Sequence, residues 1–165
     1  MCRTWIDLLN ANSGAEMSLD YERRGQFALV LATVRRTQSL PGGEIRGLPN
    51  GRVVGGLKGF HLFACQLAEA EKDDQHGRTH KALDQVHQLR NEFNVIASRW
   101  QSSVAGLLQG IRSGQDVKNL ERLKRMKAAQ LEIGRLIDAA QKAFKDLIAN
   151  LNTAESEAGK NTGDE

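Results

Sequence analysis

VHQLRNEFNVIASRWQSSVAGLLQGIRSGQDVKNLERLKRMKAAQLEIGRLIDAAQKAFKDLIANL, residues 86–151, decides the fold. With Val86, Phe93, Trp100 and Leu107 at heptad position a and Leu89 and Ile96 at d, an apolar seam runs to Ser103, where Val104 and Ile111 take over. After the break at Ser113-Gly114 a second seam follows: Leu123, Met126, Gln130, Ile133, Ile137, Ala140, Phe144, Leu147 and Leu151, in steps of three and four. Such spacing lines one face of an α-helix and suits helix-on-helix packing. It predicts two helices, about 34 and 38 residues long or roughly 50 to 57 Å, folded back as an antiparallel, coiled-coil-like hairpin because the connection is short.

Upstream, the pattern Phe60, Phe63, Ala64, Leu67 and Ala68 predicts a shorter helix over 60–74, with Gly77 as its stop. Ser18 suits the N-cap of another running to about Gln38, with Tyr21, Phe27, Ala28, Leu31 and Val34 on one side. Thr4 to Leu9 gives one or two helical turns. Between the second and third helices lie both prolines, Pro41 and Pro49, and a concentration of glycine. There Leu48-Pro49-Asn50-Gly51 has the residues of a type I turn with a G1 bulge, predicting a small β-hairpin at about 44–54. The expected fold is mainly α: an N-terminal helical segment (1–75) carrying the β-hairpin, a long helical hairpin (76–154) and a disordered acidic tail (155–165), together forming one domain.

Composition narrows the classes of function. The 165 residues are 40% apolar and 26% charged, as in an ordinary folded domain and unlike a disordered or collagen-like chain. No window approaches a membrane span, and Met1 to Asn10 do not form a secretory signal. Cys2 and Cys65 are too few for a disulfide framework, so the expected setting is cytoplasmic with reduced thiols. Cys65 is expected to be a small buried residue.

No constellation points to an enzyme. Gly51, Gly56 and Lys58 fall short of a phosphate-binding loop, because Leu57 intervenes and Gly59 replaces the hydroxyl residue. His80, Asp84 and His87 share a helical face, but the heptad frame turns that face to solvent, so no metal is expected. No serine or cysteine stands with an identifiable base, and no cofactor is expected.

What remains is association. The net charge is +3, and the positive excess gathers in residues 41–60 and 111–130. Arg46, Arg52 and Lys58 near the β-hairpin, with Lys118, Arg122, Lys124 and Arg125 on the last helix and Lys127 beside them, are candidate contacts for nucleic acid or an acidic partner. Against that reading, charge runs on long helices are more often solvated faces. Leu131, Leu136, Ile148 and Leu83 broaden the a/d seams beyond what two helices cover, which makes Phe93, Trp100, Leu131, Leu136, Phe144 and Ile148 candidate helix-interface residues. The leading expectation is a non-enzymatic adaptor, chaperone or inhibitor acting through long amphipathic helices as a homodimer. The alternative is a nucleic-acid-binding regulator that uses the basic β-hairpin and the basic helix stripe. Gly106, Gly110 and Gly114 soften the hairpin tip or admit a close neighbouring backbone.

Overall fold

The computed structural model describes residues 21–38, 57–112 and 117–163. They form four helices: α1 (residues 21–37), α2 (Leu57–Gln75), α3 (Thr79–Arg112) and α4 (Val117–Gly163). No strand occurs among the described residues. The expected β-hairpin and the segment before Tyr21 lie outside them.

The turn between α2 and α3 shows how local sequence sets the architecture. Gly77 adopts φ 79°, a left-handed conformation that glycine tolerates without steric cost. The Arg78 amide donates to the Asp73 carbonyl (2.8 Å) and the Gly77 amide to the Asp74 carbonyl (3.1 Å), the paired bonds of a Schellman ending. The side chains of the same two aspartates fasten the corner. Asp73 accepts from Arg78 Nε (2.8 Å) and Gln85 Nε2 (3.2 Å), and Asp74 from Thr79 Oγ1 (3.2 Å) and Arg23 Nε (2.9 Å). The Arg78 donation, helped by Lys81, holds the Asp73 carboxyl below its ordinary range. Through Arg23 the corner also fixes the start of α1, and the Asn150 amide of α4 donates to Gln26 Oε1 (3.0 Å) at the same end.

Contacts between α3 and α4 pair in antiparallel order. His80 meets Glu155, the ring of Phe93 lies 5.8 Å from that of Phe144, and Gln141 donates to Asn94 (3.2 Å). At 19 residues α2 is about 28 Å long and α1 about 25 Å, whereas the 34 residues of α3 span about 51 Å and the 47 of α4 about 70 Å. The first turn of α2, at Gly59, lies opposite Ile96. Among the described residues the molecule therefore has a base, where α1 and α2 join the long pair, and an arm, where α3 and α4 continue together.

Burial follows this division. In the base, adjacent residues are buried together, Ala82 with Leu83, Ala143 with Phe144 and Leu147 with Ile148, because the long helices meet neighbours over a wide face. Phe144 is the hub there, edge-on to Phe63 of α2 and tilted against Phe93 of α3. On the arm the buried residues come singly: Trp100, Val104 and Leu108 on α3, Met126, Ala129 and Ile133 on α4. The indole Nε1 of Trp100 is buried with no hydrogen-bond partner among the described residues, a cost of about 1–3 kcal/mol in this region.

The seam departs from the expected heptads. On α3 the buried set is Val86, Leu89, Phe93, Ala97, Trp100, Val104 and Leu108, in steps of three, four and four, with Ile96 and Leu107 half-buried. An α-helix drifts about 20° per heptad from a 3.5-residue repeat, so the contact line moves on by one residue, from 96 to 97 and from 107 to 108. On α4 the same drift buries Ala129 and leaves Gln130 exposed. The resulting eleven-residue repeat is close to the natural helical period.

Two further details differ from the sequence reading. On α1 the buried face is Phe27, Val30, Thr33, Val34 and Thr37, while Tyr21 and Ala28 are exposed and Leu31 half-buried. The hydroxyls of Thr33 and Thr37 donate to carbonyls one turn back, which is how two polar residues sit in that face. Residues 155–163, expected as a disordered tail, continue α4 as helix. Glu155 is held there by His80 Nδ1 at 2.5 Å.

Candidate functional site

The candidate contacts fall into three groups. Arg46 and Arg52 lie outside the described residues. Lys58 and Lys118 fall in the first turns of α2 and α4. Arg122, Lys124 and Arg125 are exposed on the arm portion of α4. Arg122 and Arg125, three residues apart, share a side of α4, and Lys124 flanks them. Arg122 stands one turn before Met126, on the line of the buried seam. Arg125 has an acidic neighbour on its own helix, Glu121, at 3.7 Å. The arm is nevertheless cationic: residues 99–112 and 117–136 hold eight basic residues against two acidic, in a chain whose net charge is +3.

Of the candidate interface residues, Phe93, Trp100, Phe144 and Ile148 lie in the chain's own core, each no more than 6% exposed. Leu83 is likewise covered. At the base α1 and α2 cover the widened seam around Leu83, Phe93, Phe144 and Ile148, and Trp100 is buried on the arm within the chain itself. Leu136 is half-buried on the arm. Leu131 is 76% exposed and lies about 200° around α4 from Ile133, opposite the seam it was expected to broaden.

The sequence reading missed Leu120, 59% exposed on the same side of α4 as Leu131. The signal was present, since 120 and 131 are eleven residues apart and share a face. It was hidden because the residues between them on that face are Lys124 and Lys127, which read as a solvated surface.

The polar groups with chemical potential are dispersed. Cys65 is exposed, not buried, because Phe63, Leu67 and Ala70 set the inward face of α2 and residue 65 falls some 200° from Phe63. Its Sγ lies 3.7 Å from His61 Nε2. His80 donates from Nδ1 to Glu155 and stands 3.5 Å from Asp84 through Nε2. The bond to Glu155, then the charges of Asp84 and Glu155, raise the imidazole above its ordinary value. Among the described residues no group of three His, Cys, Asp or Glu side chains is placed to hold a metal ion.

Open clefts mark the described surface. Gln66, Glu69, Gln85, Gln88 and Leu89 line a polar notch of about 210 Å³ between α2 and α3. Beside it Leu62, Phe63, Phe93 and Ile96 form most of an apolar notch of about 260 Å³. On the arm a trough of about 390 Å³ runs between α3 and α4, floored by Val104 and Ile133 and walled by Ser102, Ala105 and Gly134. Of the described helices, none is long and apolar enough to cross a membrane. No protein-family model, curated protein or solved structure matches this chain.

Proposed function

We propose that the protein is a non-enzymatic interaction or assembly protein that works through its long helices, with the base as anchor and the arm as the part offered to a partner. The observation that carries this reading is the arm's surface. Leu120 and Leu131 stand exposed there amid an excess of basic residues, while Leu107 and Leu136 are only partly covered. Covering a leucine fully is worth roughly 1.5–3 kcal/mol, so a partner that seats on these side chains gains stability the single chain forgoes.

Self-association is the simplest form of this reading, through the half-buried edge that Leu107 and Leu136 make on the arm. Light scattering tests it: a homodimer has twice the 18.2 kDa mass of the chain. Leu107→Asp with Leu136→Asp should return the mass to that of one chain. A wild-type mass of 18.2 kDa at high micromolar concentration contradicts the homodimer.

The arm's charge favours a second reading, nucleic-acid binding. Neutralising several phosphates makes affinity fall steeply with salt, so a titration of duplex DNA binding decides it. Arg122→Glu with Arg125→Glu should abolish that binding and leave dimerisation intact. No binding at low salt eliminates this reading.

A further inference from the structure

The outward face of α4 carries a second helix-packing stripe. Leu120, Lys124, Lys127 and Leu131 succeed one another at steps of four, three and four, the spacing by which helices seat against each other, on the side of α4 turned away from Met126 and Ile133. The helix is therefore patterned on two sides, one seam inside the molecule and one facing out. The outer stripe is apolar at its ends and cationic in the middle.

We infer that this stripe docks an acidic amphipathic helix of a partner protein. This deepens the interaction reading above and rests on it. The charges single out the partner. Arg125 and Arg135 have carboxylates on their own helix, Glu121 at 3.7 Å and Glu132 at 2.7 Å, but Lys124 and Lys127 have no ion pair among the described residues. On this face of α4 the two lysines without an ion pair lie between the two exposed leucines.

A second copy of the chain is a poor occupant. A two-fold interface presents the same patch from both sides, so antiparallel pairing sets Lys124 against Lys127 and parallel pairing sets each lysine against its own copy. Like charges in direct opposition are unfavourable. A nucleic acid would satisfy the lysines, but its phosphate backbone offers nothing to Leu120 and Leu131. A helix with apolar residues over the leucines and Asp or Glu over the lysines answers all four positions, laying its apolar face along the stripe.

Fluorescence anisotropy with the full chain tests this directly. One probe is a labelled three-heptad peptide with leucine at a and d and glutamate at e and g; the other replaces every glutamate with lysine. The glutamate peptide should bind at least roughly tenfold more tightly than the lysine peptide. Lys124→Glu with Lys127→Glu should reverse that preference, and Leu120→Asp with Leu131→Asp should abolish binding of either probe. All four residues are exposed, and circular dichroism checks that each variant keeps the wild-type helical signal.

Equal binding of both peptides, binding of neither, or a preference that survives the lysine exchange overturns the inference. So does duplex DNA binding that the lysine exchange abolishes while the glutamate peptide fails to bind, which would assign the stripe to nucleic acid. A mass that falls from dimer to monomer on the leucine exchange would assign it to a second copy. Because mass and peptide binding are read separately, a monomeric chain that binds the glutamate peptide removes the homodimer and keeps this inference. A dimer that ignores both peptides does the reverse.

Discussion

The base and the arm are built from the same two helices and differ in what surrounds them. At the base Leu147 and Ile148 are both buried, as are Ala143 and Phe144. On the arm Met126 and Ala129 are buried, but the residues on either side of each are exposed. A stripe two residues wide is covered where α1 and α2 add their faces; a stripe one residue wide is what two helices cover between them. On α4 the width of the buried stripe thus follows how many helices meet, whereas on α3 Val86, Leu89, Phe93 and Ala97 are buried singly even in the base.

Matched core truncations provide the strongest challenge to that comparison. Phe144→Ala removes a ring that touches both Phe63 and Phe93 at full burial and should cost about 3–5 kcal/mol, seen as a lower midpoint in global urea unfolding. Met126→Ala, equally buried, should cost only about 2 kcal/mol, because the arm can adjust around one missing side chain. Equal losses at the two sites would break the comparison.

A gain of stability on the arm sharpens it. A Cβ added at Gly106 meets nothing within 4 Å, and helical glycine is about 1 kcal/mol less favourable than alanine. Gly106→Ala should therefore slow amide exchange over residues 101–112 and leave the base unchanged. A Cβ added at Gly110 likewise meets nothing within 4 Å. A Gly106→Ala variant whose arm exchanges faster would show a constraint at that glycine that the open space does not explain.

The smallest effect is expected at the far end of the base. His80 is raised above its ordinary 6.5 by Glu155 and Asp84, so its protonated form is favoured by the fold. That contribution is fully present below pH 6.5 and is lost as pH rises through the raised folded value. The last turns of α4, from Glu155 onward, should therefore fray more at pH 8.5 than at pH 6 by about the amount that His80→Ala frays them at pH 6. Amide exchange at 155–163 that ignores both pH and the substitution would remove this clasp from the account.

Much of the helical layout was legible in the residues. Gly77 marks the end of α2, and the polar break at Ser113-Gly114 follows the last residue of α3, Arg112. The faces were less legible, because a heptad frame held rigid over several turns slips against a 3.6-residue helix: Ile96, Leu107 and Gln130 were set in the seam where Ala97, Leu108 and Ala129 are buried. Cys65 illustrates the same weakness, since apolar neighbours in sequence point to the opposite side of a helix. The end of α4 was misread for another reason. Its acidic, polar composition resembles a tail, and only the partner 75 residues away, His80, shows that Glu155 is engaged. At the arm, counting charge found the basic excess but not the stripe, whose leucines stand on the face that reads as solvent.

Hydrogen exchange along α3 and α4 in the free protein tests the two-region account most directly, since both helices run through both regions. Amides of residues 101–112 and 120–130 should exchange at least roughly tenfold faster than those of 82–97 and 137–151. Uniform protection along both helices would contradict the division into a four-helix base and a two-helix arm.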